Sequence, residues 1–195
     1  MNVLMIYAHP NPKSFNHAIF ETAQKKLQEW GHEVKVRDLY ALDFDPVLSG
    51  SDLAGFRAGK TPDVIRAEQE FIAWAEVIVF IHPVWWTGLP AILKGYIDRV
   101  LSFGFAYMID KGGVKGLLKG KKVVIINTTG SPVDYYQQIG MVDALKKTSD
   151  QGIYAFCGLE VIDHLFFGSV PSVSDEVRRQ YLVDLERWLE TAFKK

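Results

Sequence analysis

Apolar runs alternate with amphipathic segments along most of the chain. The run at residues 3–8 is apolar at every position and stops at His9 and Pro10. A strand that is buried on both faces, as in a parallel sheet, has this continuous pattern. Residues 14–30 instead place apolar side chains three or four positions apart and end at Gly31, which predicts a helix.

The same alternation continues to the C-terminus. Residues 41–61 are rich in Gly, Asp and Ser and predict a long loop, after which Thr61 and Pro62 predict a capped helix start. Strands that alternate with helices indicate βαβ units and a mainly parallel sheet. We predict the remaining strands at 34–39, 77–81, 123–126 and 160–167, and the remaining helices at 62–75, 90–101, 142–156 and from 174 onward.

The predicted fold is a single α/β domain over residues 1–195, a three-layer sandwich around a five-stranded parallel sheet. Strand order 2-1-3-4-5 is favoured because it places the two most apolar early strands, the first and third, side by side. In an open parallel sheet, ligands bind beyond the C-terminal strand ends, where the winding direction changes. The loops after Ala8, Ile81 and Asn127 should therefore form the site.

Composition and charge narrow the function classes. Hydrophobic residues make up 48% of the chain and charged residues 23%, which is the composition of a globular protein. The net charge is −1, so the chain lacks the overall positive electrostatic field that attracts nucleic acid. No apolar run approaches the ~20 residues of a membrane-spanning helix, and no basic stretch opens a signal peptide. We therefore expect a cytoplasmic protein without membrane insertion. A single cysteine, Cys157, excludes an internal disulfide, and we expect no metal site.

The first loop, residues 9–16, joins a buried strand to a helix start. This geometry presents free backbone N–H groups to an anion. Ser14 and Asn16 add side-chain donors, while His9 and Lys13 add positive charge. Ser14 as a simple helix cap is an equally weighted alternative. Neither GxGxxG nor GxxxxGK[ST] occurs here, which argues against a dinucleotide-binding Rossmann site and against a P-loop ATPase.

The second loop (residues 82–90) and the third loop (residues 128–136) carry the features of a flat-ring site. Trp85 and Trp86 are unusual for a core role in a surface loop, and paired aromatics suit stacking beside an isoalloxazine ring, although one of them could be structural. The third loop offers small polar hydrogen-bond donors around Gly130. The Tyr136 hydroxyl could donate a hydrogen bond to the negative charge of a reduced flavin ring. An ordinary turn with surface tyrosines is the alternative.

Short segments across nearly the whole chain resemble the DT-diaphorase family of flavodoxin-like NAD(P)H:quinone reductases, in the family's order. Each segment is weak alone, and the ordered set is specific. The segments are Ala8-His9-Pro10 with Ser14-Phe15-Asn16, Asp38-Leu39-Tyr40 with Phe44-Asp45-Pro46, Pro83, Trp86 and Gly88 with residues 90–95, Phe105-Ala106-Tyr107 with Asp110-Lys111-Gly112, Thr128-Thr129-Gly130, and Phe156-Cys157-Gly158.

The resemblance implies a flavodoxin-like fold and a role for each matching residue. Tyr136 matches the catalytic tyrosine, Tyr107 a tyrosine that lines the substrate pocket, and Arg178 an arginine near the adenosine of FAD. The family's mammalian members carry a histidine six residues after the catalytic tyrosine; here Val142 stands there, so that relay is not carried over. The remaining matches are His9, Ser14, Phe15 and Asn16 at the flavin phosphates, Pro83, Val84, Trp85, Trp86 and Thr87 along the ring, and Thr128, Thr129, Gly130 and Ser131 at its pyrimidine side.

The resemblance also implies the reaction and the partners. NAD(P)H would give hydride to the flavin, and a quinone or similar flat acceptor would then take two electrons in a ping-pong cycle, with the pocket at a homodimer interface. Residues 47–66, which are absent from the shortest FMN-using relatives, together with Arg178 favour FAD over FMN. The alternatives are a flavodoxin-like electron carrier, an ancillary regulatory subunit of a potassium-efflux system, and an azo- or nitroreductase.

Overall fold

A five-stranded parallel sheet forms the centre of the molecule in the computed structural model, which describes residues 1–194. Its strand order is β2-β1-β3-β6-β7, which matches the predicted order once the separate antiparallel hairpin β4–β5 is set aside. The strands are β1 (Asn2–Tyr7), β2 (Glu33–Asp38), β3 (Val77–Pro83), β4 (Tyr107–Asp110), β5 (Gly113–Gly116), β6 (Lys122–Thr128) and β7 (Glu160–Phe167).

The most apolar strands lie at the middle of the sheet, as their sequences predict. Every residue of β3 is buried, and β1 is buried from Val3 onward. The more polar β2 lies at one edge, and β7 lies at the other. Burying a Val or Ile side chain contributes about 1.5–3 kcal/mol, so these central strands supply much of the stability.

Helices cover both faces of the sheet and complete the three layers. One face packs against the first and last helices through Ile19, Leu27, Leu185 and Leu189. The other packs against the third and fourth helices. The helices are α1 (Phe15–Glu29), α2 (Gly50–Arg57), α3 (Asp63–Trp74), α4 (Ala91–Val100), α5 (Val133–Gln138), α6 (Met141–Lys146) and α7 (Asp175–Phe193), with a π-helical segment at Lys147–Ala155.

Two local predictions were wrong. Residues 41–61 contain α2, which a capping box between Ser49 and Asp52 starts despite two glycines. Thr61 does not cap α3, because Pro62 holds the cap position without a side-chain bond. The helical stretch predicted over 142–156 is present, and it is π-helical after α6, where the Ser149 hydroxyl donates back to the Leu145 carbonyl at 2.8 Å.

The segment before α2 packs tightly on α4. A Cβ atom added to Gly95 would lie 2.1 Å from the Pro46 carbonyl oxygen, so only glycine allows this approach. Arg99 of α4 donates to Asp52 through Nε at 3.0 Å, and both side chains are buried. The segment is therefore held on the α4 face of the sheet.

None of the helices formed by residues 1–194 combines the length with the hydropathy that a membrane crossing requires.

Candidate active site at the C-terminal strand ends

The first loop ends in a helix N-terminus with free donors. The Ser14 hydroxyl accepts from the His17 N–H at 3.2 Å, so Ser14 caps α1 as the simpler interpretation proposed. Among residues 1–194, no acceptor pairs with the backbone N–H groups of Phe15 and Asn16. The two interpretations therefore coexist: α1 is capped and still presents two N–H groups and its positive dipole end to an anion.

A buried amide joins the first loop to the third. Asn16 Nδ2 donates to Thr128 Oγ1 at 2.8 Å, and both residues are buried. Within the described residues, Asn16 Oδ1 is buried and has no hydrogen-bond partner. A buried oxygen that accepts no hydrogen bond lowers the stability of a folded protein. A bound ligand with a hydrogen-bond donor at this position would remove that cost.

The second loop is a strained two-residue hairpin. Trp85 and Gly88 exchange backbone hydrogen bonds at 3.1 and 3.0 Å. The two residues between them, Trp86 and Thr87, have φ of +49° and +55°. This is the type I′ pattern, which normally uses Asn-Gly because other residues are strained there. Strained backbone of this kind concentrates at functional sites.

The strain gives a stability prediction. We expect Thr87→Gly to raise the free energy of unfolding by about 0.5–1 kcal/mol, because glycine adopts positive φ without a Cβ clash. Thr61→Gly is the matched control: Thr61 lies in a loop at ordinary φ, so the change lowers stability. Urea unfolding of the purified protein measures both. A lower stability for Thr87→Gly would show that the turn is unstrained.

Tryptophan side chains project from this hairpin into solvent. Trp86 is 100% exposed and Trp85 41% exposed, and the rings of Trp85 and His9 lie 5.6 Å apart. Pro83 is buried beneath them, and the Val84 N–H donates to the Thr128 carbonyl at 2.8 Å. The loop base is therefore fixed to the third loop while its aromatic tip is free to cover a flat ligand.

The third loop is anchored at its ends and open at its centre. Thr129 is buried, donates its N–H to Phe167 and its hydroxyl to the Ser131 carbonyl at 2.7 Å. Gly130 is exposed, and no atom lies within 4 Å of a Cβ added to it. The structure thus brings the first, second and third loops together at one edge of the sheet.

Tyr136 and Tyr107 lie in different places. Tyr136, on α5 after the third loop, is half-buried, and its hydroxyl makes no hydrogen bond within residues 1–194. Tyr107, on β4, lines a cavity of about 580 Å³ together with Phe103 and Phe156. No other predicted site residue lines that cavity. Val84, Thr87 and Gly88 of the second loop line a different cavity, which shares Lys94 and Ile153 with the one around Tyr107.

Arg178 lies behind the third loop. Its Nη1 donates to the Val170 carbonyl at 2.7 Å, and its Nη2 contacts Asp175 Oδ1 at 2.8 Å. The Val170 N–H in turn donates to the Thr129 carbonyl at 3.1 Å. Arg178 supports the loop through these bonds, and its side chain is 30% exposed at the same edge.

Sequence reasoning missed a polar chain under the second loop. His82, Asn127 and His164 are buried at the ends of β3, β6 and β7, and they line a second cavity of about 460 Å³. Burial lowers the pKa of His82 to about 4; the bond to the Pro83 carbonyl opposes the shift, and His164 adds to it. The sequence did contain a signal for these residues: each is a polar residue within, or directly after, a predicted strand whose other residues are largely apolar.

Comparisons with known proteins agree with this geometry. The family model described as flavodoxin-like fold matches residues 1–189. The chain is 42% identical over 180 residues to an uncharacterized NAD(P)H oxidoreductase of Haemophilus influenzae, covering 92% of this chain and 89% of that one. It is 32% identical to NAD(P)H dehydrogenase [quinone] 1 of Rattus norvegicus, covering 98% of this chain and 77% of that one.

A solved structure supports the same relation. Smu.1420 from Streptococcus mutans superposes with a TM-score of 0.89 at 34% identity, over 98% of this chain and all of that one. The family match, the relatives and the shared fold agree over nearly the whole chain. The chain therefore belongs to the flavodoxin-like family that includes the NAD(P)H dehydrogenase [quinone] proteins.

Proposed function

We propose that this protein is a flavin-dependent oxidoreductase that passes two electrons, as hydride, from NAD(P)H to a quinone or a similarly flat acceptor. The observation that carries the proposal is the buried Asn16 Oδ1, which lacks a partner where the first and third loops meet. A ribityl hydroxyl is a donor of the required kind. The relatives' names, NAD(P)H oxidoreductase and NAD(P)H dehydrogenase [quinone], support the donor and the acceptor class.

The site residues divide by the part of the flavin that they fit. The N–H groups of Phe15 and Asn16, with Ser14 and His9, would hold the phosphate end at the α1 N-terminus. The hairpin formed by Pro83, Val84, Trp85, Trp86 and Thr87 would lie along the ring, and Thr128, Thr129, Gly130 and Ser131 would face its pyrimidine side. A bound flavin would supply the hydride chemistry, while the protein orients it and excludes water.

One exposed face of the site would serve both substrates in turn. Trp86 would form a wall beside which first the nicotinamide and then the acceptor stacks, so the two bind alternately in a ping-pong order. Val142 is buried where mammalian relatives carry a histidine, so no imidazole is available from that position. Tyr136 would therefore donate a hydrogen bond to the negative charge that develops at the pyrimidine edge.

This role gives a kinetic prediction for Tyr136→Phe. We expect hydride transfer from NAD(P)H to slow on the order of a hundredfold, because one preorganised donor to developing charge is lost. Flavin affinity should stay unchanged. Tyr135→Phe is the matched control, since Tyr135 is the neighbouring, half-exposed tyrosine. Stopped-flow single turnover measures the rate; wild-type kinetics in Tyr136→Phe would remove it from the reaction.

We propose FAD as the flavin, with FMN as second choice. Arg178 supports FAD, because its partly exposed guanidinium lies beside the third loop, where an adenosine could reach it. Residues 47–66 are the other feature that favours FAD, and within them α2 is joined to α4 by the Asp52–Arg99 pair, on the opposite face of the sheet from Arg178. In one chain, only Arg178 therefore supports FAD.

We propose a homodimer in which a second copy completes the pocket. Tyr107 would contribute to the pocket of the neighbouring copy. Its cavity exposes apolar side chains that a second copy would cover: Leu53, Phe103, Ile109 and Phe156 are each 40–61% exposed. Sedimentation velocity tests this, and a monomer at micromolar concentration would contradict it.

The activity test uses purified protein with NADH, NADPH and a set of acceptors. We expect menadione to be reduced with oxidation of either nicotinamide, and azo dyes and nitroaromatics to be poorer acceptors. Protein that carries flavin but oxidises NAD(P)H with none of these acceptors would refute the proposed reaction.

A further inference from the structure

Four polar side chains are linked through hydrogen bonds and one ring contact beneath the second loop. His164 on β7 contacts Asp150 Oδ1 of the π-helical segment through Nδ1 at 2.9 Å. Its Nε2 lies 2.8 Å from Asn127 Oδ1. Asn127 Nδ2 lies 3.1 Å from the His82 carbonyl oxygen and over the His82 ring, 3.3 Å from Nδ1 and 3.1 Å from Nε2. His82 Nδ1 lies 3.0 Å from the Pro83 carbonyl oxygen.

The backbone fixes the direction of every bond in this chain. The Pro83 carbonyl can only accept, so His82 Nδ1 carries the hydrogen. His82 Nε2 then offers a lone pair in the neutral ring, and burial lowers the pKa of this side chain, which favours that form. Asn127 Nδ2 donates to the His82 carbonyl oxygen at 3.1 Å. A flipped amide would place two oxygens together, so Oδ1 must face His164.

His164 is thereby surrounded by acceptors. Asn127 Oδ1 accepts from Nε2, and the Asp150 carboxylate faces Nδ1. Complete pairing requires a hydrogen on both ring nitrogens. The surroundings suit a cation: the Phe166 ring stacks on the imidazole with centroids 4.2 Å apart, and Asp163 accepts from the His164 N–H at 2.8 Å.

We propose that Asp150, His164, Asn127 and His82 act as positioning residues for the strained second loop, with His164 doubly protonated within the chain. The loop needs such support because Trp86 and Thr87 hold costly backbone conformations. The chain ends on the Pro83 carbonyl, and the next N–H, that of Val84, is bonded to the third loop. The π-helical segment is thus tied to the base of the loop.

The first test is the protonation state of His164 in wild-type, flavin-free protein. Long-range ¹⁵N–¹H NMR distinguishes a doubly protonated ring from either neutral tautomer. We expect imidazolium shifts for His164 and a neutral ring with hydrogen on Nδ1 for His82. In Asp150→Asn, His164 should become neutral with hydrogen on Nε2 only, which preserves the bond to Asn127. A bare nitrogen on wild-type His164 would overturn the protonation assignment.

The second test breaks the chain in the middle. We expect Asn127→Leu to speed amide exchange of Val84 and Gly88 at least about tenfold, because the buried His164 Nε2 and the His82 carbonyl oxygen lose their shared partner. Gln69→Leu is the matched control: Gln69 is a buried amide that bonds the Val100 carbonyl and Ser102. Equal exchange in the two variants, compared at matched stability, would overturn the positioning role.

The expected effect on cofactor affinity rests on the proposed function, whereas the positioning role of the four linked side chains does not. Asn127→Leu should weaken binding of added FAD about tenfold, while the control Gln69→Leu binds it as the wild type does. If the wild-type protein shows the expected His164 spectrum and loop protection but binds no flavin, the positioning chain stands and the proposed function fails. If Asn127→Leu binds FAD as tightly as wild type, the chain does not position the ring site.

Discussion

Asp52→Ala should lower the free energy of unfolding by about 3 kcal/mol, because the buried Arg99 guanidinium loses its only buried carboxylate partner among the described residues. It keeps the Asp45 carbonyl at 2.7 Å and the exposed Asp45 carboxylate at 3.4 Å. Burial raises the pKa of Asp52, but the Ser49 N–H and the Arg99 guanidinium outweigh that effect, and the net pKa is lowered. The carboxylate is therefore ionised and paired in the folded protein. Chemical denaturation at neutral pH measures the loss.

The matched control lies on α4, the helix that carries Arg99. Asp98 pairs with Lys94 on the exposed side of α4, so Asp98→Ala should cost less than about 1 kcal/mol. The large loss in Asp52→Ala should release α2, which supplies Leu53 and Phe56 to the cavity around Tyr107. If both variants cost the same, the buried pair does not hold α2 on α4.

Acid should destabilise the protein through His82. The ordinary histidine pKa is near 6.5, and burial lowers that of His82 to about 4 in the folded state. Between these values the unfolded chain binds the proton more readily, so stability is complete above about pH 6.5 and falls as the pH drops towards 4. The loss approaches about 3 kcal/mol from this group.

The measurement is urea unfolding across this pH range for wild type and His82→Gln. The groups that face the ring are Asn127 and, through it, His164, while the Pro83 carbonyl accepts its Nδ1 hydrogen. We expect a steeper pH dependence in wild type than in the variant, since glutamine does not titrate. Parallel curves would show that His82 does not stay neutral in the folded protein.

The fold could be predicted where one residue pattern determines one element. Continuous apolar runs identified β1 and β3, and their burial on both faces fixed the centre of the sheet. The elements missed were those that tertiary contacts stabilise. Helix α2 contains Gly50 and Gly55 and depends on the Arg99–Asp52 pair, and the β4–β5 hairpin turns at Gly112 and Gly113 with little buried apolar surface.

The sequence predicts where the candidate site lies, but not the conformation of its loops or the contacts beneath them. Strand ends fixed the three loops, and the structure joins them through Asn16 and Thr128 as expected of one site. No sequence rule predicts a type I′ turn at Trp86-Thr87, because both residues disfavour it. The four-residue chain under this loop joins residues 82, 127, 150 and 164, which only the folded sheet brings together.

The central claim is that the three loops bind a flavin. The most direct measurement releases the bound cofactor from freshly purified protein and identifies it by its absorption spectrum and mass. The account predicts a yellow protein that yields a flavin in stoichiometric amount, with the mass of FAD. A colourless protein that also fails to bind added FAD and FMN would contradict it.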